Sequence, residues 1–421
     1  MAGPGDRLVA PPEGEVPPPA APRLAFPAGE LRRRTLRGVV VNGAFLVGID
    51  ALVLAQGLVV SRLLGPEAIG LYGIVTITVT SLLLLRRVGI DEAFVQQEEA
   101  EQEPEFQHAF TLELAVGAVF ALLVCLAAPI LAAVYGESEL LPLTLATAYL
   151  PIAFALQAPV WVFFRRMDFA RQRSLQAVIP AVTFVVTVPL AAGGFGVWSL
   201  VVGPMVGNAV GAAVAILVSP YRLRLRFDSE TARRYLAFSG PIFVALLATL
   251  VVQQGQILAF DLQDGLAGAG FLTLAFTLTR YVDRADQVIT ATIYPVVCSL
   301  RGRAHALTEL FEKSNRGTLL WVMPFAGGVV LFAPDLVHFL LGDRWQPAVL
   351  LLQGLGVATA LQQIGFNWFS FYRAHGRTRE TAIEAATGTV GFLVLAIPAL
   401  ALWGTWGFVG GRVAAVLIML A

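Results

Sequence analysis

Charged residues are scarce in this 421-residue chain: they make up 14% of it, against roughly 25% in soluble domains. Hydrophobic residues make up 57%. A water-soluble fold could not bury so many apolar side chains, because too few polar residues remain to cover its surface. The composition therefore excludes a soluble globular protein and indicates that lipid is the solvent for most of the chain.

Lysine is almost absent, with Lys313 as its single occurrence, and no glycine-rich loop precedes it. A Walker-type phosphate-binding loop needs both features, so ATP hydrolysis within this chain is excluded. The four histidines are far apart and have no metal-ligand spacing. The two cysteines, Cys125 and Cys298, lie in or beside apolar runs, which favours packing over a disulfide or metal site. We therefore expect neither an enzyme nor a bound cofactor.

An excess of charge of either sign is also missing, because 29 basic and 29 acidic residues give a net charge of zero. No overall basic field favours nucleic acid as a partner. Residues 1–31 differ from the rest in being rich in proline, with Pro-Pro at 11–12 and Pro-Pro-Pro at 17–19. Such a segment cannot bury enough apolar surface to fold, which predicts a disordered tail.

Apolar runs long enough to cross a bilayer follow this tail. A spanning helix needs about 20 apolar residues. About twelve such runs lie near residues 39–60, 69–88, 110–134, 143–164, 175–192, 195–218, 241–260, 268–298, 318–341, 348–372, 381–402 and 406–421. The last run has only 16 residues, so we expect its helix to be truncated. The pattern predicts an all-α integral membrane protein embedded in a lipid bilayer.

Basic residues fall in alternate connections between these runs, which sets the orientation of the chain. Twenty-two of the 29 lysines and arginines lie in every second connection, beginning with Arg32, Arg33, Arg34 and Arg37. The positive-inside rule places these connections in the cytoplasm. The amino terminus is therefore predicted to be cytoplasmic.

An internal repeat relates the two halves of the chain. Residues 64–72 align with 264–272, and the same offset of 200 pairs Gln56 with Gln256. Because each half has six spans, both begin on the same side, so the repeat is parallel and the two lobes are expected to rock about a central cavity. The predicted boundaries are a tail at 1–31, a first lobe at 32–220, a basic cytoplasmic linker at 221–239 and a second lobe at 240–421.

A second pair of segments supports the repeat. Residues 128–137, which contain Ala-Pro-Ile-Leu and end in Tyr-Gly-Glu, resemble residues 333–343, which contain Ala-Pro-Asp-Leu and end in Leu-Gly-Asp. Both segments are predicted to lie on the side opposite the basic connections. The repeat therefore extends beyond the first two spans of each half.

Three motifs resemble one family. Residues 63–72, with the sequence LLGPEAIGLY, resemble the first-to-second-span signature of bacterial polysaccharide and oligosaccharide flippases. These belong to the multidrug/oligosaccharidyl-lipid/polysaccharide exporter superfamily. Residues 275–300, which include Ile293-Tyr294-Pro295, are similar to the eighth span of that family. Residues 373–377, RAHGR, resemble the basic loop after its tenth span.

This resemblance implies two lobes around a cavity framed by the first, second, seventh and eighth spans. It also implies a transporter in the bacterial cytoplasmic membrane whose substrate is an undecaprenyl-pyrophosphate-linked sugar used for lipopolysaccharide or exopolysaccharide. A polysaccharide polymerase and glycosyltransferases are the protein partners it suggests. Two alternatives stay open: a drug/cation antiporter of the same superfamily, and a membrane component of polysaccharide assembly that transports nothing.

Charged residues within the eighth span form one stripe. Arg280, Asp283, Arg284 and Gln287 have the spacing of a single helix face. Each charge at this depth costs at least about 2.5–3.5 kcal/mol, so the stripe should face a cavity or other charges. Two arginines and one aspartate leave an excess positive charge that suits a pyrophosphate. In the alternative, Asp286 completes a neutral structural network.

Other polar residues within spans are further candidates. Asp50 could be a counter-ion to the arginines of the stripe, or a proton or sodium site, and the coupling ion stays open. Six amides could contact sugar hydroxyls or hydrogen-bond between helices; they are Gln253, Gln254, Gln256, Gln362, Gln363 and Asn367. Glu113 is interpreted as lying near a helix end, where its carboxylate reaches the headgroups.

Overall fold

The structure is a computed structural model that describes residues 28–86, 90–97, 101–166, 168–229, 240–281, 304–364, 387 and 389–420. Of these, residues 28–44, 46, 92–93, 96, 240–251, 304 and 306 are described by their backbone alone. In these ranges the chain is helical between short connections, with a segment at 222–228 that is neither helix nor turn, and no β-strand. Residues 1–27 of the predicted tail and 230–239 of the predicted linker lie outside them.

Thirteen α-helices are numbered here in chain order within the described residues. They are α1 (Ala28–Leu63), α2 (Pro66–Leu85), α3 (Ile90–Gln96), α4 (Gln102–Tyr135), α5 (Leu140–Thr147), α6 (Leu150–Leu156), α7 (Pro159–Arg165), α8 (Phe169–Ala192), α9 (Trp198–Leu217), α10 (Gly240–Thr279), α11 (Ala304–Asp335), α12 (Ala348–Gln362) and α13 (Ile397–Leu420). Short π or 3-10 segments lie at Leu336–Leu341, Asp343–Trp345 and Phe392–Ala396.

Helices coincide, at least in part, with every predicted apolar run. Within the described residues, eight helical stretches are long and apolar enough to cross a membrane. Two of these, Val252–Thr279 and Thr389–Leu420, contain a reversal and each cover two predicted runs. The helices α1 and α12 cover the two remaining runs. The prediction of an all-α, multi-pass membrane protein is confirmed.

Glycines in the left-handed backbone region make the two reversals. Gly265 has φ 66° and divides α10 into α10a (240–264) and α10b (266–279). Gly404 has φ 63° and divides α13 in the same way. Gly411 then packs against Ala396, which would be about 22 Å away in a straight helix. Side chains with a Cβ rarely adopt these torsions, so glycine permits a turn without a loop.

The fourth span is broken where the sequence predicted one run. The helices α5, α6 and α7 together form the stretch Leu140–Arg165. Pro151 and Pro159 lie in the first turns of α6 and α7, respectively. Since proline has no backbone N–H to continue the hydrogen-bond ladder of the preceding helix, each break falls just before one of these residues.

The two halves meet where α2 crosses α10b, and the contact is reciprocal. A Cβ on Gly70 would overlap the carbonyl oxygen of Leu266, and a Cβ on Gly270 would overlap that of Pro66. Both pairs are related by the offset of 200 seen in the sequence. The internal repeat is therefore a structural one, and small residues at its centre let two backbones touch.

A buried ion pair joins α2 to α4 within the first half. Arg86 pairs with Glu113, and their side chains are 10% and 8% exposed. The guanidinium also lies 5.7 Å from the centre of the Phe154 ring. The interpretation that the Glu113 carboxylate reaches the headgroups is wrong, because this carboxylate is buried and paired with Arg86. The helix α4 begins at Gln102 rather than near residue 110, so Glu113 is also not in its first turns.

We expect Gly70→Ala and Gly270→Ala to destabilise the fold by about 1–3 kcal/mol each, since the added methyl group forces two packed backbones apart. Gly48→Ala is the matched control, because a Cβ there meets nothing within 4 Å. Alanine favours a helix by up to about 1 kcal/mol over glycine, so the control should be neutral or stabilising. Thermal unfolding in detergent measures all three. If Gly70→Ala and Gly270→Ala had the same melting temperature as Gly48→Ala, the close crossing of α2 and α10b would be contradicted.

Removing one partner of the buried ion pair should destabilise the protein by about 3–5 kcal/mol, because Glu113→Ala leaves a buried guanidinium without its carboxylate. The joint change Arg86→Leu/Glu113→Leu should recover most of that loss. Lys313→Ala, which breaks an exposed pair with Glu309, should change stability by less than about 1 kcal/mol. Unfolding in lipid nanodiscs compares the variants. If Glu113→Ala were as stable as Lys313→Ala, the assignment of Arg86 and Glu113 as a buried ion pair would be contradicted.

Candidate functional site

Hydrogen bonds between α2 and α10a form a polar seam between the halves. The Gln254 amide donates to the Thr78 hydroxyl and, at 3.4 Å, to the carbonyl of Ile74. Thr78 can accept because its own proton goes to that same carbonyl, at 3.0 Å. The hydroxyl of Ser81, about one turn further along α2, donates to the side-chain amide oxygen of Gln253 at 3.4 Å. Two adjacent glutamines thus contact one face of α2.

The two glutamines differ in what surrounds them. Gln254 also accepts a hydrogen bond from the Tyr135 hydroxyl at the end of α4, at 3.1 Å. Its amide group is therefore shared among α2, α4 and α10a. Gln253 is exposed, although it accepts from Ser81. Of the two predicted sugar contacts, Gln254 has its donor and acceptor engaged by the protein, whereas Gln253 is accessible.

Asp50 and Arg280 belong to helices that touch. The Tyr281 hydroxyl donates to the backbone carbonyl of Asp50 at 3.5 Å, which joins the end of α10b to the middle of α1. Arg280 is exposed, with its guanidinium 5.4 Å from the Tyr281 ring centre. The side chain of Asp50 is partly buried. The predicted approach of the first span to the eighth is present.

The rest of the predicted charged stripe, Asp283, Arg284 and Gln287, lies outside the described residues, as does Asn367. Gln256 is 5% exposed and donates to the carbonyl of its own helix at Val252, at 3.3 Å. Gln362 and Gln363 lie at the carboxyl end of α12, a helix that packs on α10, α11 and α13. Among the described candidates, Asp50, Gln253, Gln254 and Gln256 therefore lie on helices at the interface between the halves, and Arg280 directly follows one of these helices.

A set of contacts at the opposite ends of the spans was not predicted. Arg62, at the end of α1, donates to the carbonyls of Phe339 and Leu340 at 2.6 and 3.2 Å. Arg344 donates back to the Arg62 carbonyl. The fully buried Trp345 donates its indole N–H to the carbonyl of Ser61 at 2.9 Å. These four hydrogen bonds, donated by Arg62, Arg344 and Trp345 and termed here the end latch, hold the first half against the second.

The repeat explains where the end latch occurs. The segment after α11 turns at Gly342, with φ 96°, and its residues contact α1. In the first half, α4 ends in the same way at Gly136, with φ 70°, and Tyr135 contacts α10a. Each half thus sends the end of its third span against the first span of the other. In the sequence, Arg344 and Trp345 close after Gly342 were the signal that could have indicated the end latch. The backbone carbonyls that accept their hydrogen bonds have no sequence signature.

Solved structures with a similar fold are transporters. An inward-facing multidrug resistance transporter of the MATE family, in the MOP superfamily, has a TM-score of 0.74 and 15% identity over 88% of this chain and 91% of its own. The lipid II flippase MurJ, in an inward closed conformation, has a TM-score of 0.71 and 13% identity over 90% and 87%. This chain therefore shares the all-α fold of these membrane transporters, as the sequence predicted.

Similarity in sequence points to polysaccharide export. The succinoglycan biosynthesis transport protein ExoT of Rhizobium meliloti (strain 1021) is 23% identical over 352 residues, which is 79% of this chain and 70% of that protein. The lipopolysaccharide biosynthesis protein WzxC of Escherichia coli (strain K12) is 22% identical over 344 residues, 80% and 69%. The family model described as polysaccharide biosynthesis protein matches residues 59–350. The chain belongs to this polysaccharide biosynthesis protein family.

Proposed function

We propose that this protein flips a lipid-linked oligosaccharide or exopolysaccharide intermediate across the bacterial cytoplasmic membrane. The observation that carries the proposal is the relationship to ExoT and WzxC, two proteins named for succinoglycan transport and lipopolysaccharide biosynthesis, respectively. The fold shared with the lipid II flippase supports it. The amino terminus and the basic connections face the cytoplasm in this proposal.

Arg280 is the described residue best suited to the anionic part of such a substrate. It follows α10b about 22 Å from the Gly265 turn, which is well inside a hydrocarbon core about 30 Å thick. A guanidinium at this depth is costly in lipid but favourable beside phosphate oxygens, with which it forms paired hydrogen bonds. We propose that Arg280 binds the pyrophosphate of the substrate. Asp283, Arg284 and Gln287, whose sequence spacing from Arg280 predicts one helix face, are proposed to extend this site, and Gln253 supplies an accessible amide for sugar hydroxyls.

Alternating access is the proposed transport cycle. The halves rock about the crossing of Gly70 and Gly270, and the end latch closes the non-cytoplasmic side. Opening on that side requires Arg62, Arg344 and Trp345 to leave their carbonyl acceptors. Asp50 is the proposed site for a coupling ion, either a proton or sodium. A polymerase that consumes the flipped product, and the glycosyltransferases that make the substrate, are the proposed protein partners.

Transport in liposomes tests the function. We expect the wild-type protein to translocate a fluorescent undecaprenyl-pyrophosphate sugar, and Arg280→Gln to slow it by roughly 10- to 100-fold, since a charged hydrogen bond is worth about 1.5–3 kcal/mol. Arg316→Gln removes an exposed arginine elsewhere and should have no effect. Absence of wild-type transport would refute the flippase. Uptake of a cationic dye instead would favour the drug antiporter, and full activity of Arg280→Gln would refute only the role of Arg280.

Weakening the end latch should favour the state open to the non-cytoplasmic side. Trp345→Phe removes one buried hydrogen bond, worth about 0.5–1.5 kcal/mol, so the open population should rise roughly 2- to 10-fold. Spin labels on Ser138 and Asp264, in a background without cysteine, report the separation of the halves. Trp321→Phe alters an exposed tryptophan and serves as control. Identical distance distributions for Trp345→Phe and the control would contradict the latch.

A further inference from the structure

An extended segment after α9 presents an unusual alternation of residues. Residues 221–227, termed here the basic strap, read Tyr-Arg-Leu-Arg-Leu-Arg-Phe. From residue 222 onward the backbone is neither helical nor in a sheet. The N–H groups of Arg222 and Arg226 contact residues of α4 that are eight positions, or about 12 Å, apart, which is close to the length of four extended residues. Because successive side chains of an extended chain point to opposite sides, the arginines are expected to share one face and the apolar residues the other. The strap is thus amphipathic with a period of two.

Hydrogen bonds hold the strap on α4. The backbone N–H of Arg222 donates to the Glu103 carboxylate at 3.1 Å, and its carbonyl accepts from the Gln107 amide at 2.9 Å. Further along, the N–H of Arg226 donates to the Thr111 hydroxyl at 2.8 Å. The backbone is therefore anchored at both ends of the arginine series, and the side chains have fixed positions relative to α4.

The apolar face of the strap is covered by protein over only half its length. Tyr221 packs on Phe106, with ring centres 5.7 Å apart, and Leu223 packs on the same cluster. Leu225 and Phe227 continue this face but are 69% and 71% exposed. The described part of the chain leaves these last two side chains mostly uncovered. A second layer of apolar material is needed to bury them.

The course of the strap along α4 indicates what that material is. From Glu103 to Thr111 the strap runs toward the membrane-crossing part of α4, a helix of 34 residues. Such a helix is about 50 Å long, so roughly 20 Å of it extends beyond the hydrocarbon core. The contact at Thr111 therefore brings Leu225 and Phe227 to the level where acyl chains meet headgroups.

Positive charge dominates the surroundings of the strap. Arg222, Arg224 and Arg226 are all exposed. A fourth arginine, Arg166, lies over the Tyr221 ring at 5.2 Å. Glu103 accepts the backbone hydrogen bond, and Asp228 and Glu230 follow the strap in sequence. Four arginines against these three carboxylates leave an excess of positive charge beside two exposed apolar side chains, which is the pattern of a segment that binds an acidic bilayer.

We propose that the basic strap is a binding site for acidic phospholipids of the adjacent leaflet. Leu225 and Phe227 enter the edge of the acyl region, and the guanidinium groups bind the headgroup phosphates. The proposal is independent of transport, although it places the strap at the membrane surface on the proposed cytoplasmic side. It also gives α4, which contacts α10a through Tyr135, a lipid contact at its other end.

Depth measurements test the apolar face. Single cysteines at positions 224, 225, 226 and 227, with Cys125 and Cys298 replaced by serine, carry spin labels in the full-length protein in liposomes of phosphatidylethanolamine and phosphatidylglycerol. We expect oxygen to relax the labels at 225 and 227 and a water-soluble nickel chelate to relax those at 224 and 226. Labels on Leu126 and Lys313 provide lipid and water references. Equal nickel accessibility at all four positions would overturn the proposal.

Lipid retention tests the charged face. Arg222→Gln/Arg224→Gln/Arg226→Gln should lower the ratio of phosphatidylglycerol to phosphatidylethanolamine retained in native mass spectra at least threefold. Arg171→Gln/Lys313→Gln/Arg316→Gln removes three exposed charges elsewhere and should leave the ratio unchanged. The strap is held by its backbone, so the first variant should fold. An equal ratio in both variants would overturn the proposal. The proposal would also be overturned if a spin label at position 227, in protein that keeps the three arginines, had the same depth at every phosphatidylglycerol content.

Discussion

Direct contact between the backbones of α2 and α10b is the constraint on which the arrangement of the two halves depends. In lipid, apolar side chains gain little by leaving acyl chains for each other, so helices stay together through close packing and hydrogen bonds. Gly70 and Gly270 permit that approach, since even a methyl group at either position would overlap a carbonyl oxygen of the other helix. The crossing is reciprocal because the same motif occurs in both halves.

This crossing determines which polar groups can meet. With α2 held against α10, Thr78 and Ser81 come within reach of Gln254 and Gln253 on the neighbouring helix. Toward the other end, each half presents the end of its third span to the first span of its partner, at Tyr135 in one case and at Trp345 in the other. Polar contacts between the halves thus follow the symmetry of the crossing.

Sequence periodicity and the repeat predicted much of the fold, because hydrophobic length and glycine positions are local properties. Gly65 and Gly265, aligned by the offset of 200, both lie at the turn between two spans. The ion pair of Glu113 was missed because the start of α4 depends on packing with α3 and the strap, not on hydropathy. Likewise, the difference between Gln253 and Gln254 arises from Tyr135, which is more than a hundred residues away in the chain.

The partners of the polar groups indicate where a substrate fits. Gln254 uses both its donor and its acceptor within the protein, so its contribution is to hold three helices together. Arg280 is exposed beside Tyr281, near the point where α10b touches α1. A guanidinium facing acyl chains at that depth would cost at least about 2.5–3.5 kcal/mol, so its surroundings must contain water or an anion. In the proposed transport cycle, with the latched ends of the spans closed by Arg62 and Trp345, this space opens toward the opposite side.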